Sequence, residues 1–407
     1  MSVYLDNHAT TPLDPRVLDA MLPYLREEFG NPSSKTHPFG WRAQEAVETA
    51  RAHVAALIGA EAREIVFTSG ATEANNLAIL GAAAKAPKDR DRLVTQATEH
   101  HAVLDPTHEL EKNGFGRTVL ATDREGRVSV DALRAALDER TLLVSIMAAN
   151  NEIGAVQPLA EIGAACREVG ALFHTDAAQA VGRLALDVHA SNIDLLSLSA
   201  HKFHGPKGVG ALFVRRRGTR VRLAPSAFGG GQEGGLRPGT LNVPGIVGVG
   251  EAARVARLDL ASDTARIGAL RDRLRDQVRL AVPDVVVNGP RDPAHKLAGN
   301  LSLSFPAVDG SALLVALTDI AASAGSACTA GNSEPSSVLS AIGVPADLAV
   351  STLRLGLGRF TTAADVDYAA RRISETVARL RAQRAGHRSA RRDTRRDAGH
   401  GARHGAG

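Results

Sequence analysis

The sequence has no long hydrophobic run, few cysteines and few aromatic residues. No apolar stretch approaches the ~18 residues that a membrane-spanning helix needs, which excludes a transmembrane protein. Two cysteines, Cys166 and Cys328, are too few for a disulfide framework or for a metal site of four thiolates. Aromatic residues make up 3% of the chain and leave few rings for stacking on nucleic-acid bases.

The first residues also lack the basic segment and the apolar stretch of an export signal, so we expect a cytoplasmic protein. A length of 407 residues with 44% hydrophobic residues is enough for two or three domains, each with its own core. The chain is therefore predicted to be globular.

The basic character of the chain comes from its end. The net charge is +4, but residues 384–407 alone carry seven arginines, two aspartates and no Val, Ile, Leu or aromatic residue. Such a composition predicts a disordered tail. The rest of the chain is close to neutral, so any contact with nucleic acid is expected through this tail only.

From residue 64 onward, short β-rich runs alternate with helical patterns, which is typical of a mostly parallel sheet covered by helices. A long helical run follows residue 244, and the strands and helices beyond it predict a smaller α+β unit. We therefore predict a large α/β domain (13–255), a small α+β domain (1–12 and 256–383) and the tail. The strands of the large domain are expected at 64–67, 92–97, 141–147, 171–176, 193–199 and 209–214.

Polar clusters follow five of these strands, among them TSGATE, HTDAAQ and SAHKFHG. Ligands of parallel sheets bind beyond the carboxyl ends of the strands, so these clusters predict one binding site. Lys202, at a crowded strand end between two histidines, is a candidate amine nucleophile, although a surface lysine is the commoner case. Asp176 ends an apolar strand and is a candidate partner for a protonated pyridine nitrogen, or else a helix cap.

The turn 68–73 joins a strand to a helix through small residues. The free backbone N–H groups at a helix start, with the Thr72 hydroxyl, suit a phosphate group. The turn lacks the lysine of a nucleotide P-loop, so ATP is not implied. A phosphate cradle, a partner for a pyridine nitrogen and an amine nucleophile together fit one cofactor, pyridoxal 5′-phosphate (PLP).

With these motifs the chain resembles the cysteine desulfurases, which supply sulfur for iron–sulfur clusters and RNA thiolation, over about residues 3–380. The resemblance implies the fold type I architecture of PLP-dependent transferases and a homodimer with composite active sites. The matching segments are YLDNHATTP, GNPSSKTHPFG, EIVFTSGATEANNLAI, TEHHAVL, VSIMAANNEIGAVQP, HTDAAQAVG, SLSAHKFHGPKGVGAL, RPGTLNV, SAGSACTAG and LRLGLGRFTT.

The resemblance also implies roles for individual residues. Lys202 would link to the cofactor through a Schiff base, Asp176 would pair with the pyridinium nitrogen, and His100 would stack on the ring and move protons. Gln179 and Asn151 would contact the phenolic oxygen of the cofactor or the substrate. The phosphate would be held by Ala71, Thr72, Ser199 and His201, joined by Thr240 of the partner subunit.

The two cysteines are expected to differ. Cys166 lies in a helical pattern and is predicted to be a buried structural residue. Cys328 lies among small residues in SAGSACTAG and is predicted to be an exposed thiol that accepts sulfur. By the same resemblance it is a candidate ligand of a transient iron–sulfur cluster shared with a scaffold partner.

The predicted reaction converts L-cysteine to L-alanine and leaves a persulfide on Cys328, from which an acceptor protein takes the sulfur. Arg354 is predicted to bind the substrate carboxylate, with Arg359 as its nearest competitor in the sequence. A selenocysteine lyase and another fold type I enzyme, such as an aminotransferase, are the alternatives. A binding module acting through the basic tail is a third alternative.

Overall fold

The computed structural model describes residues 2–218, 220–324 and 336–400, the last fifteen of these as backbone alone. A seven-stranded sheet forms the centre of the larger part of the molecule. Its order in space is β2-β8-β7-β6-β5-β3-β4, and all neighbours are parallel except β8, which is antiparallel to both of its neighbours. These strands are β2 (Ile65–Thr68), β3 (Arg92–Gln96), β4 (Gly116–Leu120), β5 (Thr141–Ser145), β6 (Leu172–Asp176), β7 (Leu195–Ser199) and β8 (Gly210–Val214).

The six strands predicted from the sequence are confirmed, and their continuous apolar runs explain why. Strands β5, β7 and β8 are buried at every position, as expected where helices cover both faces of a sheet. Strand β4 was not predicted. It lies at the edge of the sheet and is mostly accessible, so its sequence GRTVL carries little of the apolar signal of a central strand.

Helices cover this sheet, and several site residues lie at or next to their amino-terminal ends. They are α1 (Pro15–Arg26), α2 (Pro38–Leu57), α3 (Ala71–Ala83), α4 (His101–Lys112), α5 (Val130–Ala136), α6 (Leu159–Val169) and the 39-residue α7 (Val243–Ala281). Helix α7 begins in the core of the large unit and ends in a second core. The long helix predicted after residue 244 is therefore confirmed as the connection between the two.

The second core packs around a four-stranded antiparallel sheet of order β12-β13-β10-β9. The strands are β9 (Val286–Asn288), β10 (Asn300–Ser304), β12 (Ser323–Ala324) and β13 (Thr352–Gly356), and the helices are α8 (Gly310–Ala316), α9 (Ser337–Ala341), α10 (Ala346–Ala349) and α11 (Ala363–His400). The amino-terminal strand β1 (Val3–Tyr4) pairs in parallel with β11 (Ile320–Ala321). The chain start thus joins the carboxy-terminal core, while the exact domain limits stay a prediction.

The carboxy-terminal helix begins at Ala363 and enters the segment 384–407, for which disorder stays a prediction. Helix α11 continues past residue 384 to His400, and residues 401–407 lie outside the described residues. Alanine and arginine, which dominate this stretch, are strong helix formers, and no proline interrupts them. No helix in the described part of the chain is long and apolar enough to cross a membrane.

Candidate active site

A cavity of about 670 Å³ lies at the carboxyl edge of the central sheet. The ends of β2, β6 and β7 form its floor, the amino-terminal segment around His8 forms one side, and Arg354 of β13 reaches it from the smaller sheet. The structure brings together all predicted cofactor and substrate residues except Thr240. Those lining the cavity are Ala71, Thr72, His100, Asn151, Asp176, Gln179, Ser199, His201, Lys202 and Arg354.

Lys202 ends a short 3₁₀ helix that directly follows β7. Its Nζ donates hydrogen bonds to the backbone oxygens of His8 and Ala9, at 2.9 and 2.7 Å. Its own carbonyl oxygen accepts a bond of 2.8 Å from Arg183 Nη2. The amine is therefore held at the cavity wall by backbone from a segment almost 200 residues away in sequence.

Asp176 is the last residue of β6 and is only 6% exposed. One carboxylate oxygen accepts from Asn75 Nδ2 at 2.7 Å and the other from the backbone N–H of Ala178 at 2.9 Å. None of the ion pairs resolved in the described residues involves this carboxylate. A buried carboxylate bound only by neutral donors favours a cationic ligand in the cavity beside it.

The turn before α3 has the geometry of an anion cradle. Gly70 precedes the helix with φ +153°, a conformation that favours glycine. The backbone of Gly210 packs closely against it, since a Cβ atom at position 210 would lie only 2.7 Å from the Gly70 Cα. The first N–H groups of α3, from Ala71 onward, have no acceptor within the helix. Ser199 Oγ lies beside Gly70, so backbone and hydroxyl donors meet at one point.

Two histidines of the cavity are kept neutral by burial. His100 caps α4, with Nδ1 accepting from the N–H of Ala102 at 3.0 Å, which leaves Nε2 to carry the ring proton. Burial lowers the pKa of His100, and it lowers the pKa of His201 to about 4. His201 Nδ1 lies 3.1 Å from Thr10 Oγ1. Both rings are thus uncharged at neutral pH, and the Nε2–H of His100 is available to donate a proton or a hydrogen bond.

The structure separates the two candidate arginines. Arg354 is 3% exposed, contacts Asp6 at 3.0 Å and leaves its buried Nε without a hydrogen-bond partner in the described residues. Arg359 instead bridges Asp14 and Asp263, at 2.8 Å each, away from the cavity. Only Arg354 therefore has a guanidinium that lines the cavity and retains an unused donor.

Several residues of the site were not predicted from the sequence. Asn75, the partner of Asp176, is a buried polar residue on an otherwise apolar helix face, and that contrast was the available signal. His8 is fully buried, and burial with the nearby Arg183 lowers its pKa well below the usual range. Gln179 lies 2.9 Å from the His8 ring through Oε1 and donates to the His8 backbone through Nε2, so part of its predicted capacity for a ligand is already used.

Glu152 follows Asn151 in the loop after β5 and is a further residue that the sequence did not single out. Its carboxylate accepts a hydrogen bond of 2.5 Å from Ser336 Oγ. Burial raises the pKa of Glu152 to about 7. Since the ordinary pKa of a glutamate is about 4.3, the folded protein keeps this proton over a range in which the unfolded chain has released it.

The substitution Glu152→Gln is expected to remove this pH dependence. As pH rises from about 5 to 8, ionisation of the buried Glu152 lowers the free energy of unfolding of the wild type, whereas glutamine does not ionise. The stability of the variant relative to the wild type should therefore be about 1–3 kcal/mol higher at pH 8 than at pH 5. Thermal unfolding of both proteins at the two pH values measures this. Glu161→Gln, at an exposed position, is the control, and an equal effect of Glu152→Gln at both pH values would contradict the assignment.

Two predicted residues are not brought to the cavity. Thr240 is exposed and does not line it, as expected if it acts in the site of a partner subunit. Cys328, predicted as sulfur acceptor and cluster ligand, lies outside the described residues.

Cys166 is a buried free thiol whose pKa burial raises to about 12, as predicted for a structural residue. Within the described residues no group of three or more His, Cys, Asp or Glu side chains is arranged to hold a metal ion.

Known proteins match this chain over nearly its whole length. Residues 3–369 match the family Aminotransferase class-V. The chain is 55% identical over 379 residues to the cysteine desulfurase IscS of Anaeromyxobacter dehalogenans, covering 93% of each chain. It is also similar to a solved NifS-like protein, with 37% identity, a TM-score of 0.86 and coverage of 93% of this chain and 100% of the other.

A further solved structure is described as SspA in complex with cysteine. It is 37% identical, has a TM-score of 0.76 and covers 89% of this chain and 100% of its own. These relatives favour the predicted desulfurase over the alternative of an aminotransferase or selenocysteine lyase. Together with the cavity and its residues, the matches show that the chain belongs to the aminotransferase class-V family, among its cysteine desulfurases.

Proposed function

We propose that this protein is a PLP-dependent cysteine desulfurase. It converts L-cysteine to L-alanine and transfers the sulfur to Cys328, for delivery to an acceptor in iron–sulfur cluster assembly or tRNA thiolation. The observation that carries the proposal is the single cavity in which the amine of Lys202, the carboxylate of Asp176 and the anion cradle at Gly70 meet. The cytoplasmic location predicted from the sequence stays a prediction.

The residues of the cavity fit PLP. The buried carboxylate of Asp176 needs a cationic partner, and a protonated pyridine nitrogen is one. The glycine at position 70 opens the start of α3 to a phosphate group, and a volume of about 670 Å³ accommodates both a cofactor and an amino acid. When bound, PLP supplies an aldehyde that reacts with amines and a ring that accepts the electrons of a broken Cα–H bond.

The chain's own residues then have distinct tasks. Lys202 would hold the cofactor through its amine, and the same amine, when free, would take the proton from the substrate Cα. Asp176 would pair with the ring nitrogen, and the Asn75 amide holds that carboxylate in place. His100, neutral because of burial, carries a proton between substrate and product. The carbonyl oxygens of His8 and Ala9 orient the free amine of Lys202 between these steps.

Sulfur transfer requires a thiolate, which we assign to Cys328. Its attack on the substrate sulfur forms the S–S bond and breaks the Cβ–S bond, and protonation of the carbon product gives L-alanine. The sum of the reaction is L-cysteine plus the thiol of Cys328 giving L-alanine plus a persulfide, so no external oxidant is needed. The assignment rests on the small residues around Cys328 in the sequence and on the exclusion of Cys166, which is buried.

A homodimer completes the proposal. Thr240 is exposed on the segment that precedes α7 and lies outside its own chain's cavity. We propose that Thr240 of the partner subunit supplies a hydroxyl donor to the phosphate of the cofactor. Each active site would then depend on both chains.

Substrate binding is assigned to Arg354 and is tested by a pair of matched variants. Arg354→Lys removes the planar fork that pairs with a carboxylate, so KM for L-cysteine is expected to rise about tenfold with a smaller change in kcat. Arg359→Lys instead weakens the ion pairs to Asp14 and Asp263 and should lower the melting temperature while leaving KM unchanged. Steady-state kinetics of both variants show which arginine binds the substrate carboxylate. A raised KM in Arg359→Lys alone would reverse the assignment.

The reaction itself is tested by its products. The holoenzyme given L-cysteine and a thiol reductant is expected to form L-alanine and sulfide in equal amounts. An aminotransferase would instead form a keto acid and require a second keto acid as amino acceptor. Turnover of L-selenocysteine without turnover of L-cysteine would favour the lyase alternative.

A further inference from the structure

A second cavity, remote from the active site, is lined by an unusual number of cations. It has a volume of about 600 Å³ and lies between the carboxy-terminal turns of α7, the strand β9 and the segment 290–296. Five of its lining residues are basic and none is acidic. The basic residues are Arg271, Arg275, Arg279, Arg291 and Lys296, and the remaining lining residues are Val285, Val286, Val287, Pro290, Pro293 and Leu301.

The local structure explains how these charges converge. Arg271, Arg275 and Arg279 are spaced four residues apart, so they lie on one face of α7. Lys296 is held from the opposite side, with Nζ donating to the backbone oxygen of Asn288 at 3.2 Å. Its backbone bridges to Ala155, which fixes the lysine against the body of the protein.

The five basic residues are more than a chance cluster on the surface, because two of them are buried in the fold. Arg271 is 5% and Lys296 is 8% exposed. Asp272 neutralises part of the charge by pairing with Arg271 and Arg275, at 2.9 and 2.7 Å, and Asp276 pairs with Arg275 at 2.8 Å. Within the described residues, no hydrogen bond or ion pair engages the Arg279 side chain, so the five basic residues outnumber these two carboxylates.

Like charges in the cavity repel each other in the structure as it stands. The pKa of Lys296 is lowered to about 8, first by burial and then by Arg271 and Arg275, against the opposing effects of Asp272 and Glu125. A bound anion would relieve this repulsion and restore the proton affinity of the lysine. The arrangement therefore favours a negatively charged occupant.

We propose that this cavity is a binding site for a small phosphorylated organic ligand. The arginines would pair with phosphate oxygens, and the valine and proline wall would contact the apolar part of the ligand. A volume of about 600 Å³ is in the range of small-molecule sites, whereas an acidic protein segment would dock on a flatter surface. The site lies beside the loop that carries Asn151, because Lys296 bridges to Ala155 in the same loop.

Calorimetric titration of the cofactor-loaded holoenzyme with pyrophosphate and with ADP tests the proposal. Wild type is expected to bind both, with ADP at least as tightly as pyrophosphate, and to take up protons on binding at pH 8 because the pKa of Lys296 rises. The double variant Arg279→Gln, Arg291→Gln removes two exposed cations without disturbing the core and should weaken binding about tenfold or more. Arg257→Gln, on an exposed part of the same helix, is the matched control and should bind as the wild type does.

Three results would overturn the proposal. The first is no binding of pyrophosphate or ADP by the wild type. The second is equal affinity in the double variant and the control, which would place the anion elsewhere. The third is binding of a polyglutamate peptide through these arginines with no binding of pyrophosphate, which would make the cavity a docking surface for an acidic protein segment.

Discussion

Lys202→Ala is expected to abolish desulfurase turnover, lowering kcat by about 10³-fold or more. The reason is that one amine performs two tasks, the covalent attachment of the cofactor and the removal of the Cα proton. No neighbouring amine in the described part of the cavity is held at the same place by the oxygens of His8 and Ala9. The visible absorption of the covalently attached cofactor should disappear together with activity, so absorption spectra and alanine formation are measured on the same samples.

The folded state of this variant needs its own control. Removing the ammonium leaves two backbone oxygens without their donor, which costs about 1–3 kcal/mol and lowers the melting temperature without unfolding the protein. Lys88→Ala, at an exposed lysine, should retain full activity and the wild-type spectrum. An unchanged absorption spectrum in Lys202→Ala would show that another residue attaches the cofactor.

Cys328→Ser is expected to have an effect of similar size, with desulfurase turnover reduced by about 10³-fold or more. A serine hydroxyl is not ionised at neutral pH and cannot accept sulfur as a persulfide. The absorption of the bound cofactor should remain as in the wild type, since Cys328 is not assigned to cofactor binding. Loss of activity with an intact spectrum would thus separate sulfur transfer from the earlier steps.

The second cysteine provides the matched control for this variant. Cys166 is buried on α6, and its raised pKa keeps the thiol protonated. Cys166→Ala should therefore keep desulfurase activity and lower only the stability, as a cavity-forming change does. Loss of turnover in Cys166→Ala, at a melting temperature close to that of the wild type, would show that the assignment of the reactive thiol to Cys328 is wrong.

The sequence predicted the centre of the fold because that part follows local rules. Apolar runs such as LLVS in β5 and LLSLS in β7 are long enough to be recognised one strand at a time. The edge strand β4 and the two-residue strand β1 lack such runs, and their pairing depends on partners distant in sequence. Residues 384–400 combine a composition typical of disorder with high helix propensity, so composition alone did not predict where α11 ends.

The residues of the site likewise divide into those that could be predicted from the sequence and those that could not. Lys202, Asp176 and the turn before α3 each follow a strand, so their convergence at one sheet edge could be predicted from strand order alone. The contacts of His8 could not, because its partners Gln179 and Arg183 are more than 170 residues away. Such long-range contacts are set by how the amino-terminal segment packs over the sheet. No periodic pattern within that segment encodes them.

A single-turnover measurement tests directly whether sulfur from L-cysteine passes to Cys328. The holoenzyme is mixed with less than one equivalent of L-cysteine in the absence of reductant, and each cysteine peptide is then examined by mass spectrometry while alanine is quantified. One L-alanine is expected for each Cys328 that gains a single sulfur atom, with Cys166 unmodified. Alanine formed while Cys328 stays unmodified would exclude Cys328 as the sulfur acceptor.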